Sequence, residues 1–173
     1  RVAAGAVARK VIGDVSILSR DGDRIERWTD PSAGPFEART IAAATADGHR
    51  PGEVISEAAL AQILRNRRSL NRPGGYWAAN TGLSWRAGLR LFSAEISPGA
   101  TVLLASDGFM RLVDVIAHHD EAGLMEAVER LGAAGVIAEL RRLESADPRA
   151  ERFRRVKIHD DATALVVRPA QQR

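Results

Sequence analysis

The run Thr101-Val-Leu-Leu-Ala-Ser-Asp107-Gly108 constrains the fold more than any other part of the chain. Apolar and β-favouring residues end abruptly in Ser-Asp-Gly, which reads as a buried strand with a carboxylate at its lip. Phe109, Leu112, Val113 and Ile116 follow at helical spacing, so the strand passes directly into a helix. A second strand, Ala162 to Val167, is preceded by the pair Asp160-Asp161. If these strands pair antiparallel, the end of the first lies beside the start of the second, about 4.8 Å away. Asp107 and Asp160 then converge at one sheet edge, and two convergent carboxylates invite a hard divalent cation.

The remaining pattern supplies a frame for that edge. Residues 3–18 read as a strand region, with Asp14 in mid-strand between Ile12 and Leu18, where it must be solvent-facing or partnered. Asp21-Gly22 is a turn signal, and residues 10–28 read as a hairpin with 24–28 as its return strand. Residues 30–35 break regular structure, and the alanine-rich stretch 38–46 reads as a helix. Ser56 caps a helix with an apolar stripe of Leu60, Ile63 and Leu64. Alternation from Trp85 to Ile96 predicts a strand with Leu89 and Leu91 on one face. Two amphipathic helices follow, one with Leu124, Val128 and Leu131, the other with Val136, Leu140 and Leu143. Residues 145–156 read as an exposed arginine-rich loop, and the tail after Pro169 as frayed. Turn-linked strands with grouped helices argue α+β, with mainly antiparallel sheets packed with helices.

At 173 residues, 45% of them apolar and 27% charged, the chain has the make-up of an ordinary globular protein with its own core. It has no cysteine, which excludes disulfides, thiolate metal sites and cysteine nucleophiles. A net charge of +3 is spread along the chain, and aromatics make up only 5%, too few for a stacking platform. Nucleic acid is therefore not expected as a partner, and neither is a membrane, since no apolar run approaches the ~20 residues of a spanning helix. His118-His119-Asp120 resembles a metal pair, but neighbours on a helix or strand point different ways, so a helix-end role is expected.

Three segments share a resemblance. Leu103-Leu-Ala-Ser-Asp-Gly-Phe109 resembles the signature of the metal-dependent serine/threonine protein phosphatases of type 2C (the PPM family). His159-Asp-Asp-Ala-Thr-Ala-Leu-Val-Val167 is similar to that family's closing strand, and Ile12-Gly-Asp-Val-Ser-Ile-Leu18 to its Gly-Asp strand. The resemblance implies an α-β-β-α sandwich, with residues 1–173 a single phosphatase-like domain that is N-terminally incomplete. It implies that Asp107 and Asp160 are ligands of a binuclear centre of Mg²⁺ or Mn²⁺, and that Asp14 reaches an additional, weaker metal. Asp161 stands where the family has Asn, and Arg111 where it has a further Asp that serves a third metal. The family's first acidic ligand, its bridging aspartate and its phosphate-gripping residue have no counterpart before Asp14, so the catalytic residues are expected upstream of residue 1.

What the resemblance implies is hydrolysis of phosphoserine and phosphothreonine on proteins by a cytoplasmic, bacterial-type signalling enzyme. Two cations about 3.5–4 Å apart would activate water and clamp phosphate oxygens. The chain alone is expected to be inactive. Against this stands a non-catalytic interaction or regulatory domain that kept the fold.

Overall fold

The computed structural model describes residues 5–169 other than 83, so the expected tail after Pro169 and residues 3–4 lie outside the described residues. Among the described residues the fold is α+β, and every named strand pairs antiparallel, as the pattern of turns predicts. Strands β1 (Gly5–Val11) and β4 (Arg90–Ile96) form a two-stranded ribbon. Strands β2 (Ser16–Asp21), β3 (Arg24–Thr29), β5 (Thr101–Ala105) and β6 (Ala164–Val167) form a four-stranded sheet in the order β3-β2-β5-β6.

The period-two pattern of β2 and β5 gives this sheet two apolar faces. Leu18 lies opposite Leu103 and Ile17 opposite Leu104. On one face Leu18, Leu103 and Ala105 join Phe109, Met110, Leu112, Leu124 and Val128 from the helices in the main core. Each large side chain fully buried there stabilises the fold by roughly 1.5–3 kcal/mol. On the other face Ile17 and Val102 pack against Val11, Ile96 and Phe92 of the ribbon. The ribbon covers only part of that face, leaving Leu104 and Leu165 partly exposed.

Helices α3 (Asp107–Asp114) and α4 (Glu121–Ser145) supply the main core's other wall. α4 is helical on either side of Gly132, whose φ of 72° and ψ of 167° break it. The two expected helices are its two segments; Leu124, Val128, Val136 and Leu140 are buried as expected, whereas Leu131, expected on the same stripe, is exposed. Helices α1 (Gly34–Ala46) and α2 (Glu57–Arg67) pair with each other; Asn66 of α2 donates to the Phe36 carbonyl at 2.8 Å and to Thr40 Oγ1 at 3.0 Å. Ser56 caps α2, its Oγ accepting from the Ala59 N–H at 3.3 Å, as expected.

Several local expectations are corrected. The strand region ends at Val11, because Gly13 takes φ +75° and turns the chain out of the ribbon and into the sheet. The hairpin is therefore 16–29 rather than 10–28, and β1 pairs with β4 instead. α1 starts at Gly34, with Pro35 at its first turn, where the missing N–H costs nothing. Leu60 and Leu64 of α2 are exposed, since the helix buries Ala59 and Asn66 against α1. In β4 the inward residues are Phe92, Ala94 and Ile96, not Leu91, which is 68% exposed. The alternation beginning at Trp85 is interrupted by a 3-10 turn, Arg86–Gly88, which shifts the face by one residue.

Residues 145–156 are not simply an exposed loop. Arg155 is 7% exposed and donates to Asp147 Oδ2 (2.9 Å) and to the carbonyls of Glu144 (3.0 Å), Phe153 (2.8 Å), Ile158 (3.2 Å) and Asp147. One guanidinium thus organises the whole segment that leads back to β6.

Candidate metal centre

Three elements deliver three carboxylates to one place. Asp14 sits in the link between β1 and β2, not in mid-strand as the sequence pattern predicts, and follows the left-handed Gly13 directly. Glu37 lies in the first turn of α1, next to Phe36, which is buried and stacks at 4.9 Å on Tyr76. Asp107 is the first residue of α3, where the strand-to-helix switch places it at the sheet's lip as expected. Ligand oxygens of Asp14, Glu37 and Asp107 all lie within 4.8 Å of one another.

The lip itself is fixed by Ser106. Its Oγ accepts from the N–H groups of Phe109 (3.4 Å) and Thr163 (3.0 Å) and donates to the Asp161 carbonyl at 3.3 Å. The Ser106 N–H donates to the Thr163 carbonyl at 3.0 Å. One hydroxyl therefore caps α3 and ties the end of β5 to the start of β6, with Ala105 paired to Ala164. The antiparallel pairing brings the segments of Asp107 and Asp160 side by side.

Asp160 nevertheless faces different partners. Its Oδ2 accepts from Arg111 at 2.8 Å, and its Oδ1 accepts from Lys157 Nζ at 3.0 Å and from the Asp161 N–H at 3.1 Å. It is not one of the three clustered acids. Arg111 reaches past it to Glu144 Oε1 at 3.0 Å, and fully buried Glu144 also accepts from Arg141 (2.6 Å) and His159 (2.9 Å). Asp161 offers its backbone to this arrangement, and its side chain is exposed.

The charge balance of the two groups is opposite. All three acids are exposed, but the cleft walls withdraw part of the water around Asp14, and the charges of Asp107 and Asp160 add to that, so its carboxyl titrates above the ordinary range. Glu37 is raised likewise, first by desolvation and then by Asp14, Asp107 and Asp160. Desolvation also works against the ionised form of Asp160, but Lys157 and Arg111 outweigh it and hold that carboxyl below its usual value.

Glu37 stands where three clefts meet. A cleft of about 550 Å³ carries Asp14, Asp30, Asp107, Asp114 and Glu121, with Arg27 as its one cation among the described residues. Its neighbour, about 350 Å³, mixes Arg111, Arg154, Arg155 and Lys157 with Glu37, Asp107, Asp114 and Asp160 on its wall. The lip is thus acidic on one side and of mixed charge on the other. Comparison with protein-family models and with curated proteins returned no match.

The donor set fits a hard cation. It is all carboxylate oxygen, and Mg²⁺–oxygen bonds of about 2.1 Å place opposite ligands about 4.2 Å apart. Glu37 is the residue the sequence reading missed; an acid in a first helical turn is so common a helix-dipole partner that nothing marks it as a ligand.

Proposed function

We propose that the chain belongs to a metal-dependent phosphomonoesterase of the type 2C protein phosphatase kind, acting on phosphoserine and phosphothreonine in proteins. The supporting observation is the meeting of Asp14, Glu37 and Asp107 from three separate elements, beside a cleft whose wall also carries arginines. The three acids would hold one Mg²⁺ or Mn²⁺. Such an ion, when bound, supplies Lewis-acid charge and a water that ionises near neutral pH. Arg154 sets positive charge beside that position, where an incoming phosphate dianion needs it. Ligands for a second ion would come from outside the three-acid set, because both oxygens of Asp160 are engaged by cations. The α-β-β-α layering of that family and a cytoplasmic signalling role belong to the same proposal.

The test is hydrolysis of a phosphothreonine peptide by the full-length protein in which this chain occurs. Turnover is expected only with Mn²⁺ or Mg²⁺, and Asp107→Asn should abolish it. Turnover that persists in chelator overturns the reading.

One observation favours a second reading, a phosphatase-like domain that binds partners without catalysis. Arg111 places a cation against Asp160 and joins it to buried Glu144, so that acid is neutralised from within. Failure to bind Mn²⁺ at millimolar concentration in the full-length protein would decide for this reading.

A further inference from the structure

The loop after α3 holds a second group of metal-ligand atoms, of a different chemical kind. His118 Nε2 lies 3.1 Å from Glu139 Oε1, and His119 Nε2 lies 2.9 Å from Glu139 Oε2. The two rings are edge to face, with centroids 4.7 Å apart. Neighbouring side chains on a regular helix or strand diverge, so the sequence pattern predicts no shared target. Here the chain is neither. Ala117 takes φ +50°, and the N–H groups of both His118 and His119 donate to the Leu112 carbonyl, at 2.8 and 3.2 Å. That tight turn swings both imidazoles to the same side.

We infer that His118, His119 and Glu139 form a binding site for a borderline transition metal ion such as Zn²⁺, separate from the carboxylate cluster at the other end of α3. The ligand atoms of all three residues lie within 4.8 Å of one another. In a tetrahedral zinc site with bonds of about 2.0–2.1 Å, neighbouring ligands are about 3.3–3.4 Å apart. The observed 2.9 and 3.1 Å contacts run to the two different oxygens of Glu139, so a turn of that carboxylate presents one oxygen to an ion held between the two Nε2 atoms. Each imidazole binds through Nε2 with its proton on Nδ1, Glu139 gives one oxygen, and water takes the fourth position. The chemistry separates the two sites: imidazole nitrogen selects zinc-like ions, and the all-oxygen cluster of Asp14, Glu37 and Asp107 selects magnesium-like ones. The expected consequence is a clip. Residues 118–119 precede α4 and Glu139 lies beyond its break at Gly132, so the ion fastens the two segments of α4 in their bent arrangement.

Calorimetric titration of the metal-stripped chain with Zn²⁺ alone tests this. One equivalent is expected to bind at the site and to raise the melting temperature. The double variant His118→Ala/His119→Ala and the near-isosteric Glu139→Gln should each weaken binding at least about tenfold, and Asp107→Asn should leave it unchanged. Imidazole resonances of the unaltered chain give a readout that does not depend on how the variants fold. Those of His118 and His119 should move with the first equivalent of Zn²⁺, and those of His49 and His159 should not. Zn²⁺ affinity unchanged by the histidine substitutions, lost on Asp107→Asn, or without effect on the His118 and His119 rings overturns the assignment.

Discussion

Gly108 lies so close to Asp161 that a β-carbon at position 108 would stand 2.2 Å from the Asp161 carbonyl oxygen and 3.3 Å from the β-carbon of Asp160. The glycine after Asp107 is thus set by packing, not by a left-handed turn. Gly108→Ala pushes the start of β6 away from α3 and breaks the Ser106 bonds to Asp161 and Thr163. We expect a loss of about 1–3 kcal/mol, the usual range for overpacking a tight contact, measured by urea unfolding. An alanine variant as stable as the parent would show that the two segments separate without penalty.

Arg155 governs the return to β6. Arg155→Met removes its bonds to four carbonyls and leaves Asp147 without its ion-pair partner, although three backbone N–H groups still reach that carboxylate. Removing one member of a buried pair costs about 3–5 kcal/mol. Arg155→Lys keeps the charge but not the planar fork, and is expected to restore only part of the loss in chemical denaturation.

Stability should fall in acid through Glu144. Burial works against its ionised form, but hydrogen bonds from His159, Arg141 and Arg111 outweigh that and hold its carboxyl below the ordinary value of 4.5. A carboxylate depressed in the folded state stabilises the fold above its unfolded pKa, and that contribution disappears as pH falls through the folded value. The stability gap between the parent chain and Glu144→Gln is expected to narrow as pH falls below 4.5. A gap that keeps widening below pH 4.5 would contradict the pairing.

Charge crowding at the acid cluster predicts opposite effects on stability and on metal binding. Asp14 and Glu37 titrate high because desolvation and neighbouring carboxylates disfavour their charges. At neutral pH and without metal, Asp14→Asn or Glu37→Gln relieves repulsion and should raise the melting temperature, by on the order of a degree or two. The same variants should weaken Mn²⁺ binding at least about tenfold by calorimetry.

The parts of the fold legible in the sequence were those set by local chemistry. The strand-to-helix switch at Asp107, the Ser56 cap, the Asp21-Gly22 turn and the two faces of α4 each follow from a few adjacent residues. The antiparallel meeting of β5 and β6 followed from one assumption about pairing. What stayed hidden depended on distant partners. Leu60 and Leu64 look like a core stripe, but α1 meets α2 through Ala59 and Asn66. Arg155 looks like one of many surface arginines until Asp147 and four carbonyls surround it. Glu37 joins Asp14 and Asp107 only through tertiary packing, and the same packing turns Asp160 towards Arg111 and Lys157. The paired orientation of His118 and His119 hangs on the backbone of Ala117, which no propensity rule anticipates.

Asp14 occupies the short crossing by which the chain leaves the ribbon for the four-stranded sheet, while Asp107 is rooted in the sheet and Glu37 in a helix. Spacing among the three acids is consequently a gauge of how those bodies are seated against one another. Any shift of the ribbon against the sheet would therefore change cation affinity without altering one of the three ligands.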